Sequence, residues 1–521
     1  MTTFSEHKGI YDLPNELLLQ IVQNFFAIRL DVPQSQAFRN KKKERARQLE
    51  NHRRRSTLYS LCLTSKLLSP IATPILYSAI TSTTTTRGFA PLRQFWKTIL
   101  HSLKLPGYLK YVENLLCDYR GEDLASIADA RGTNSMVKLH FFTLSCIFRR
   151  CPSIEQISVV SIESPSFTLW RHLLPIYRPY LPRVAGHGFP NLKVIAVQTN
   201  IALKTNSAQR EFYGLGASLL RSINTIISAL SHSSSITKLC TSRMIGGVSE
   251  VEGSLFKNVR RLELLECSKH GPSSVEVDDI PNKFEGLKHF ACHFSGVPKF
   301  RPRSDDHNLD SLDFLPNLRR HSGTLESLSL TVNVAVELFR VGSLSFSSLA
   351  FMTALKEITI TDLFVLSLDP LLFRDEEYGS TSRNVIACGL PSSLEHLIVV
   401  CTRQVPPLGA FVEQIQPFLA GLIGYCVVHS RLQKFSAHFY DDFTLPESFF
   451  DTDPVPDFDT FKKNLGSRCQ ESSVQFQFLH DPGDRFIFDG RSVEGKKKQN
   501  YSSLGTSLLL ASCKIETSKS T

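Results

Sequence analysis

A chain of 521 residues is too long for one compact core unless it is built as a repeat array. With 42% hydrophobic and 21% charged residues it has globular proportions, which excludes a disordered or fibrous chain. The net charge is +10, but nine Lys or Arg against two Glu lie between Arg39 and Arg55; the rest is near neutral, so nucleic acid is not an expected partner. Residues 1–8 form a polar tail without the apolar run of a secretory signal. From Leu13 the pattern turns helical. Pro14 suits the first turn of a helix and Glu16 its positive end. Leu17, Ile21 and Phe25, with Leu18, Val22 and Phe26 beside them, give a wide apolar face that needs a partner.

An insertion follows over 29–56. Its stretch 41–50 is rich in Lys, Arg, Glu, Gln and Ala, all good helix formers, so the next helix is expected to start early and project into solvent. Between Lys41 and Arg55 only Ala46 and Leu49 are apolar, which implies little contribution to a core. The basic clusters 41–47 and 53–55 also have the layout of a bipartite nuclear import signal. A second amphipathic run, Leu58 to Leu68, is stopped by Pro70, and Ile71 to Tyr77 completes a third short segment.

Leu13-Pro14-x-Glu16-Leu17-Leu18-x-x-Ile21, then Leu61-Cys62-Leu63-x-Ser65-Lys66, then Ala72-Thr73-Pro74-x-Leu76-Tyr77 resembles the F-box, in the form common in filamentous fungi. The resemblance implies a three-helix domain over 9–82 that docks on a Skp-type adaptor and through it joins a cullin–RING ubiquitin ligase. On that resemblance Leu13, Pro14, Glu16, Leu17, Ile21, Leu61, Leu63, Lys66 and Leu76 form or support the adaptor interface. The chain departs from the family in its long insertion, and in Leu67-Leu68 where many F-boxes carry a large aromatic residue.

Beyond Tyr77 a Thr-rich turn, Thr81 to Thr86, precedes a helical run from Leu92 to Leu103. A short apolar pattern then recurs ten times, starting at Val112, Ile154, Leu192, Ile236, Val259, Leu287, Leu325, Leu355, Leu394 and Leu432. Turn residues precede several copies, as in Cys151-Pro152-Ser153-Ile154, Phe189-Pro190-Asn191-Leu192 and Gly286-Leu287. Candidate helices lie at Met136 to Arg150, Gly216 to Leu230 and Leu408 to Val428. The last is broken by Glu413, Gln414, Gln416 and Pro417, and reads as a buried helix instead of a membrane span. Helix, turn and a Leu-x-x-Leu-x-Leu strand make the unit of a leucine-rich repeat, in which each unit covers its neighbour's apolar face.

The expected fold class is therefore α/β: an N-terminal three-helix unit, then an irregular leucine-rich-repeat solenoid of parallel strands and helices over 83–445. Residues 446–521 read as a closing cap with a disordered tail. Alternate strand residues should face away from the core, which places Gln198, Glu263, His293, Thr359, His396, Lys434 and His438 on one target-binding, concave face.

Twelve scattered cysteines without a Cys-x-x-Cys read as reduced thiols, which points to the cytoplasm, the nucleus or both. Phosphate-binding, nucleophile-elbow and His-Glu-x-x-His motifs are absent from the sequence. Cys267, His270, Cys292 and His293 fall on separate strand ends, too far apart for a structural zinc site. No catalytic residue, metal, cofactor or small-molecule substrate is expected. The expected role is non-catalytic: a substrate-recognition subunit binding the adaptor and a target protein of unread identity, or else a scaffold unconnected with ubiquitin that uses the same helices.

Overall fold

The computed structural model describes residues 13–29, 41–83, 90–115, 131–163, 190–201, 236–242, 258–267, 280–294 except 283, 315–332, 349–361, 390–402, 416–440 except 417, 418, 425 and 429, and 458–481. Three helices open it: α1 (Asn15–Gln23), α2 (Lys41–Thr64) and α3 (Ser69–Leu76). Pro14 is the N-cap of α1, and its carbonyl accepts the Leu17 and Leu18 N–H groups, satisfying two orphan donors without a side-chain cap. Val22, Leu58 and Ala72 bring the three helices together over a small core of their own, with Phe25, Leu61, Cys62, Ile71, Ile75 and Leu76 packed around it.

The remaining described residues build one sheet of twelve parallel strands, in sequence order from first to last. The strands are β1 (Ala79–Thr83), β2 (Tyr111–Leu115), β3 (Gln156–Glu163), β4 (Val194–Ile201), β5 (Lys238–Ser242), β6 (Arg261–Cys267), β7 (His289–Phe294), β8 (Ser327–Val332), β9 (Glu357–Thr361), β10 (His396–Thr402), β11 (Lys434–Tyr440) and β12 (Gln475–Asp481). Helices α4 (Ala90–Leu100), α5 (Arg131–Arg150), α6 (Leu315–Leu318) and α7 (Phe458–Glu471) lie between strands, and residues 419–424 and 426–428 are helical too. A parallel sheet in strict sequence order, with a crossover at every step, is a solenoid-like repeat.

Its register explains the repeating pattern. Ile80, Val112, Ile157, Ile195, Leu239, Leu262, Phe290, Leu328, Ile358, Leu397, Phe435 and Phe476 are paired across the twelve strands as one row. All but Phe476 are buried, in a single core cluster that runs from Ile80 to Val474. Leu109, Ile154, Leu192, Ile236, Val259, Leu287, Leu325, Leu355, Leu394 and Leu432, two residues before the strands, form a second buried row. Ahead of each strand from β1 to β10 one carbonyl accepts two successive N–H groups at the start of the next repeat's strand, as Ser78 does from Lys110 and Tyr111. The same pairing recurs at Lys110, Glu155, Lys193, Thr237, Arg260, Lys288, Glu326, Lys356 and Glu395.

Three expectations are corrected here. The first repeat was read three residues late: Val112 occupies the row of Ile157, not of Ile154, and its lead residue is the buried Leu109. Thr81 to Thr83 are strand, not turn, so the sheet begins inside the segment assigned to the helical unit. Beyond 446 the chain supplies a further repeat, α7 and β12, with Phe461, Leu465 and Cys469 in the common core. The helix expected over 216–230 lies outside the described residues.

Candidate protein-docking surfaces

In the helical unit the apolar residues divide between inside and outside. Leu18 and Val22 of α1 are buried, whereas Leu17, Leu19 and Ile21 remain 39–44% exposed. On α2, Leu58 is buried and Leu61 and Cys62 half-buried, while Tyr59 and Leu63, four apart on the other side, are 53% and 69% exposed. Leu67 is exposed as well. Of the residues expected to serve the adaptor, Pro14, Glu16, Leu17, Ile21, Leu63 and Lys66 are exposed, and Leu13, Leu61 and Leu76 half-buried. Leu61 and Leu76 pack on the unit's own core and so support the surface from behind.

The basic insertion does not simply project into solvent. Arg47, Asn51 and Arg54 continue backwards the inner stripe of α2 that Leu58 and Cys62 complete, at helical spacing. The Asn51 carbonyl oxygen accepts the Ile28 N–H at 2.7 Å, and its amide donates to the Ile28 carbonyl at 3.0 Å. Arg47 donates to the Ile28 carbonyl at 2.8 Å, and Arg54 to the Phe26 carbonyl at 2.9 Å. Both terminal nitrogens of Arg47 also donate to Glu113 of β2, one at 3.1 Å. Gln48 donates to that carboxylate at 3.2 Å, and the Tyr111 hydroxyl donates to it too. Glu113 is fully buried, so this ion pair pins α2 to the start of the sheet.

The other surface is the sheet face turned away from the core. Register puts all seven expected target residues there, since none falls in the rows of Ile157 or Val159. Thr359, His396, Lys434 and His438 are half-buried on it. Glu263 and His293 are not available as outward contacts, a correction to their expected role. Glu263 is 5% exposed and is held by Arg261 Nε at 2.5 Å and Lys238 Nζ at 3.7 Å. Burial pushes its carboxyl up despite those two cations. His293 is buried with Nδ1 2.7 Å from Thr331 Oγ1. Gln198 occupies the register position beside Val160.

A polar ladder that the sequence reading did not find crosses β8 to β12. Ser327 donates to Glu357 at 3.1 Å, and Glu357 lies 3.4 Å from His396 Nδ1. His396 Nε2 is 3.0 Å from the Ser436 hydroxyl, which reaches Gln477 at 3.5 Å. The hydrogen bond with His396 holds the Glu357 carboxyl below its usual range. Serine, histidine and glutamate are connected here as in a nucleophile, base and orienting acid. Ser436 is fully buried, however, so its hydroxyl is not presented to a substrate, and the group ties strands together. No described helix is long and apolar enough to cross a membrane. No family model matches the chain, and no curated protein matches it.

Proposed function

We propose that the chain is a substrate-recognition subunit of a Skp–cullin–F-box ubiquitin ligase. On this reading the helical unit is an F-box, the sheet is an irregular leucine-rich-repeat solenoid, and the chain itself makes and breaks no bonds. It holds a target beside a ubiquitin-charged enzyme and so raises the target's effective concentration there. The observation that carries the reading is the set Leu17, Ile21 and Leu63, large apolar side chains left exposed on helices that carry the F-box-like segments in their expected order, on either side of the insertion. Exposed apolar side chains at such positions gain most from a partner that covers them.

The test is co-purification of the full chain with a Skp-type adaptor, wild type against Leu17→Asp/Ile21→Asp. Two charges placed in an apolar contact cost several kcal/mol, roughly 4 or more, and adaptor capture should be lost. Both positions are exposed in the free chain, so circular dichroism and melting should stay as in the wild type. Undiminished capture by the double variant would sink the proposal. Capture without cullin recruitment would point to a scaffold outside ubiquitin transfer.

A further inference from the structure

The outer side of α2 carries a regular seam. Leu49, His52, Ser56, Tyr59 and Leu63 follow one another at alternating steps of three and four residues, the spacing by which one helix packs along another. The seam runs for about 21 Å along the helix, opposite the inner stripe of Arg47, Asn51, Arg54 and Leu58. Leu49, Ser56, Tyr59 and Leu63 are exposed and His52 is half-buried. Burial first, then the Arg55 charge, lowers the His52 pKa, so the imidazole in the seam is neutral at pH 7. Arg53 and Arg55 flank the seam on its two sides, where charges of paired helices meet. Arg53 is 68% exposed and lies 3.9 Å from Glu50, an acid already held by Arg54 at 3.0 Å. Arg55 reaches solvent with no hydrogen bond or ion pair among the described residues, and no acid offsets the lowering of its pKa by burial.

We propose that this seam receives an acidic, amphipathic helix of the Skp-type adaptor, so that the insertion lengthens the adaptor surface by two turns that the F-box-like segments do not cover; the proposal rests on the reading of the helical unit as an F-box. The seam ends at Leu63, on the surface already assigned to the adaptor, so a helix lying there continues along α2 to Leu49. Charge selects the chemistry. Glu113 holds Arg47 and Glu50 holds Arg54, which leaves Arg53 and Arg55 as the surplus cations among the described side chains of α2. Acidic residues opposite them would complete two ion pairs at the rim of the apolar contact. A second copy of this chain would instead set arginine against arginine on both sides of the seam, which like-charge repulsion opposes.

The test is the affinity of the full chain for a purified Skp-type adaptor, measured by calorimetry at low and high salt. Wild-type affinity should fall as salt is added. Arg53→Gln/Arg55→Gln should weaken binding by about tenfold at low salt and flatten the salt dependence. Arg149→Gln/Arg150→Gln, the same loss of charge at the exposed end of α5, should leave both as in the wild type. Leu49→Asp should weaken binding by about tenfold at both salt concentrations, which keeps the seam testable even if the double variant folds poorly. Unchanged affinity in the α2 variants, or an equal loss in Arg149→Gln/Arg150→Gln, would overturn the seam and leave the F-box reading standing. A wild-type chain that dimerises on gel filtration and returns to monomer with Leu49→Asp would also overturn it, in favour of a second copy. Absence of adaptor binding by the wild type would overturn the F-box reading itself, and the seam with it.

Discussion

At the scale of single residues, two turns ask for a left-handed backbone and receive different residues. Gly286, before β7, has φ +63°, and a Cβ there would meet the Arg260 guanidinium at 2.6 Å. Arg260 caps that turn by donating to the Glu285 and Gly286 carbonyls at 2.7 and 3.1 Å. Gly286→Ala should therefore destabilise the chain by about 1–2 kcal/mol in chemical denaturation. Ser473, after α7, has φ 55°, with its N–H on the Gln470 carbonyl and the Val474 N–H on the Cys469 carbonyl, the hydrogen bonds of a Schellman cap. Ser473→Gly should stabilise by about 0.5–1 kcal/mol, the opposite sign for the same physics. Only Gly286 was readable as a turn from sequence, because serine carries no such signal.

Histidines with lowered pKa values, His52, His289, His321 and His438, set a pH dependence at the same scale. His321 is fully buried and neutral: its Nδ1 accepts the Leu287 N–H and its Nε2 donates to the Pro281 carbonyl, joining neighbouring repeats. Burial lowers its pKa, and burial with His396 and Lys434 lowers that of His438 to about 4. A lowered folded-state pKa means the unfolded chain binds more protons. The stability is therefore full above about 6.5, the unfolded value, and is lost as pH falls towards about 4. The urea midpoint should drop between pH 7 and pH 5, a range in which exposed carboxylates scarcely titrate. His438→Gln should flatten that slope.

At the scale of elements, α2 shows how a helix can be core-facing without being apolar. Its inner stripe is Arg47, Asn51 and Arg54 followed by Leu58 and Cys62, so the charge run that suggested a solvated insertion conceals a packed face. Periodicity could have exposed it, since those positions extend the Leu58–Cys62 stripe by whole turns, but only a buried acid makes an arginine there useful. That acid, Glu113, lies on a strand whose register was itself misread. Arg47→Met removes the Arg47 cation from a buried carboxylate and should cost about 3–5 kcal/mol, while Arg47→Met/Glu113→Gln should recover much of it. Denaturation of both variants checks this. Removing residues 40–55 should lower stability, contrary to what composition alone implies. The import-signal layout of that segment also falls on a folded helix in which Arg47 and Arg54 already have partners.

Over the whole molecule, the fold was legible where a repeat places Leu, Ile or Val two residues ahead of its strand and Leu, Ile or Phe one residue inside it, although β2, with Leu109 and Val112 at those two positions, was read three residues late. Such positions recur from β3 to β11 and are buried in each. The two end strands escaped because they break that rule. β1 offers Ile80 as its one large apolar residue, and β12 alternates Gln475, Phe476, Gln477 and Phe478 after a turn of its own. Opposite charges just ahead of successive strands, Lys110 to Glu155 at 3.3 Å and Glu155 to Lys193 at 3.1 Å, add register but only about 0–1 kcal/mol each, being largely exposed. Stability must come from stacking, and a stack is weakest at its ends. At the C-terminal end Phe435 stacks on Phe476 at 6.3 Å, and Phe439 meets Phe461 edge-on at 5.1 Å and Phe478 at 5.5 Å. Ending the chain at 457 would strip those rings and leave β11 as an unpaired parallel edge beside newly exposed phenylalanines. The truncated chain should melt lower and aggregate on gel filtration, because an open apolar edge recruits further strands. Replacing Phe435 and Phe439 by Thr in the truncated chain should restore much of its solubility. A truncated chain that stays monomeric and melts with the full-length protein would show that the last repeat is an accessory and not the closing unit of the stack.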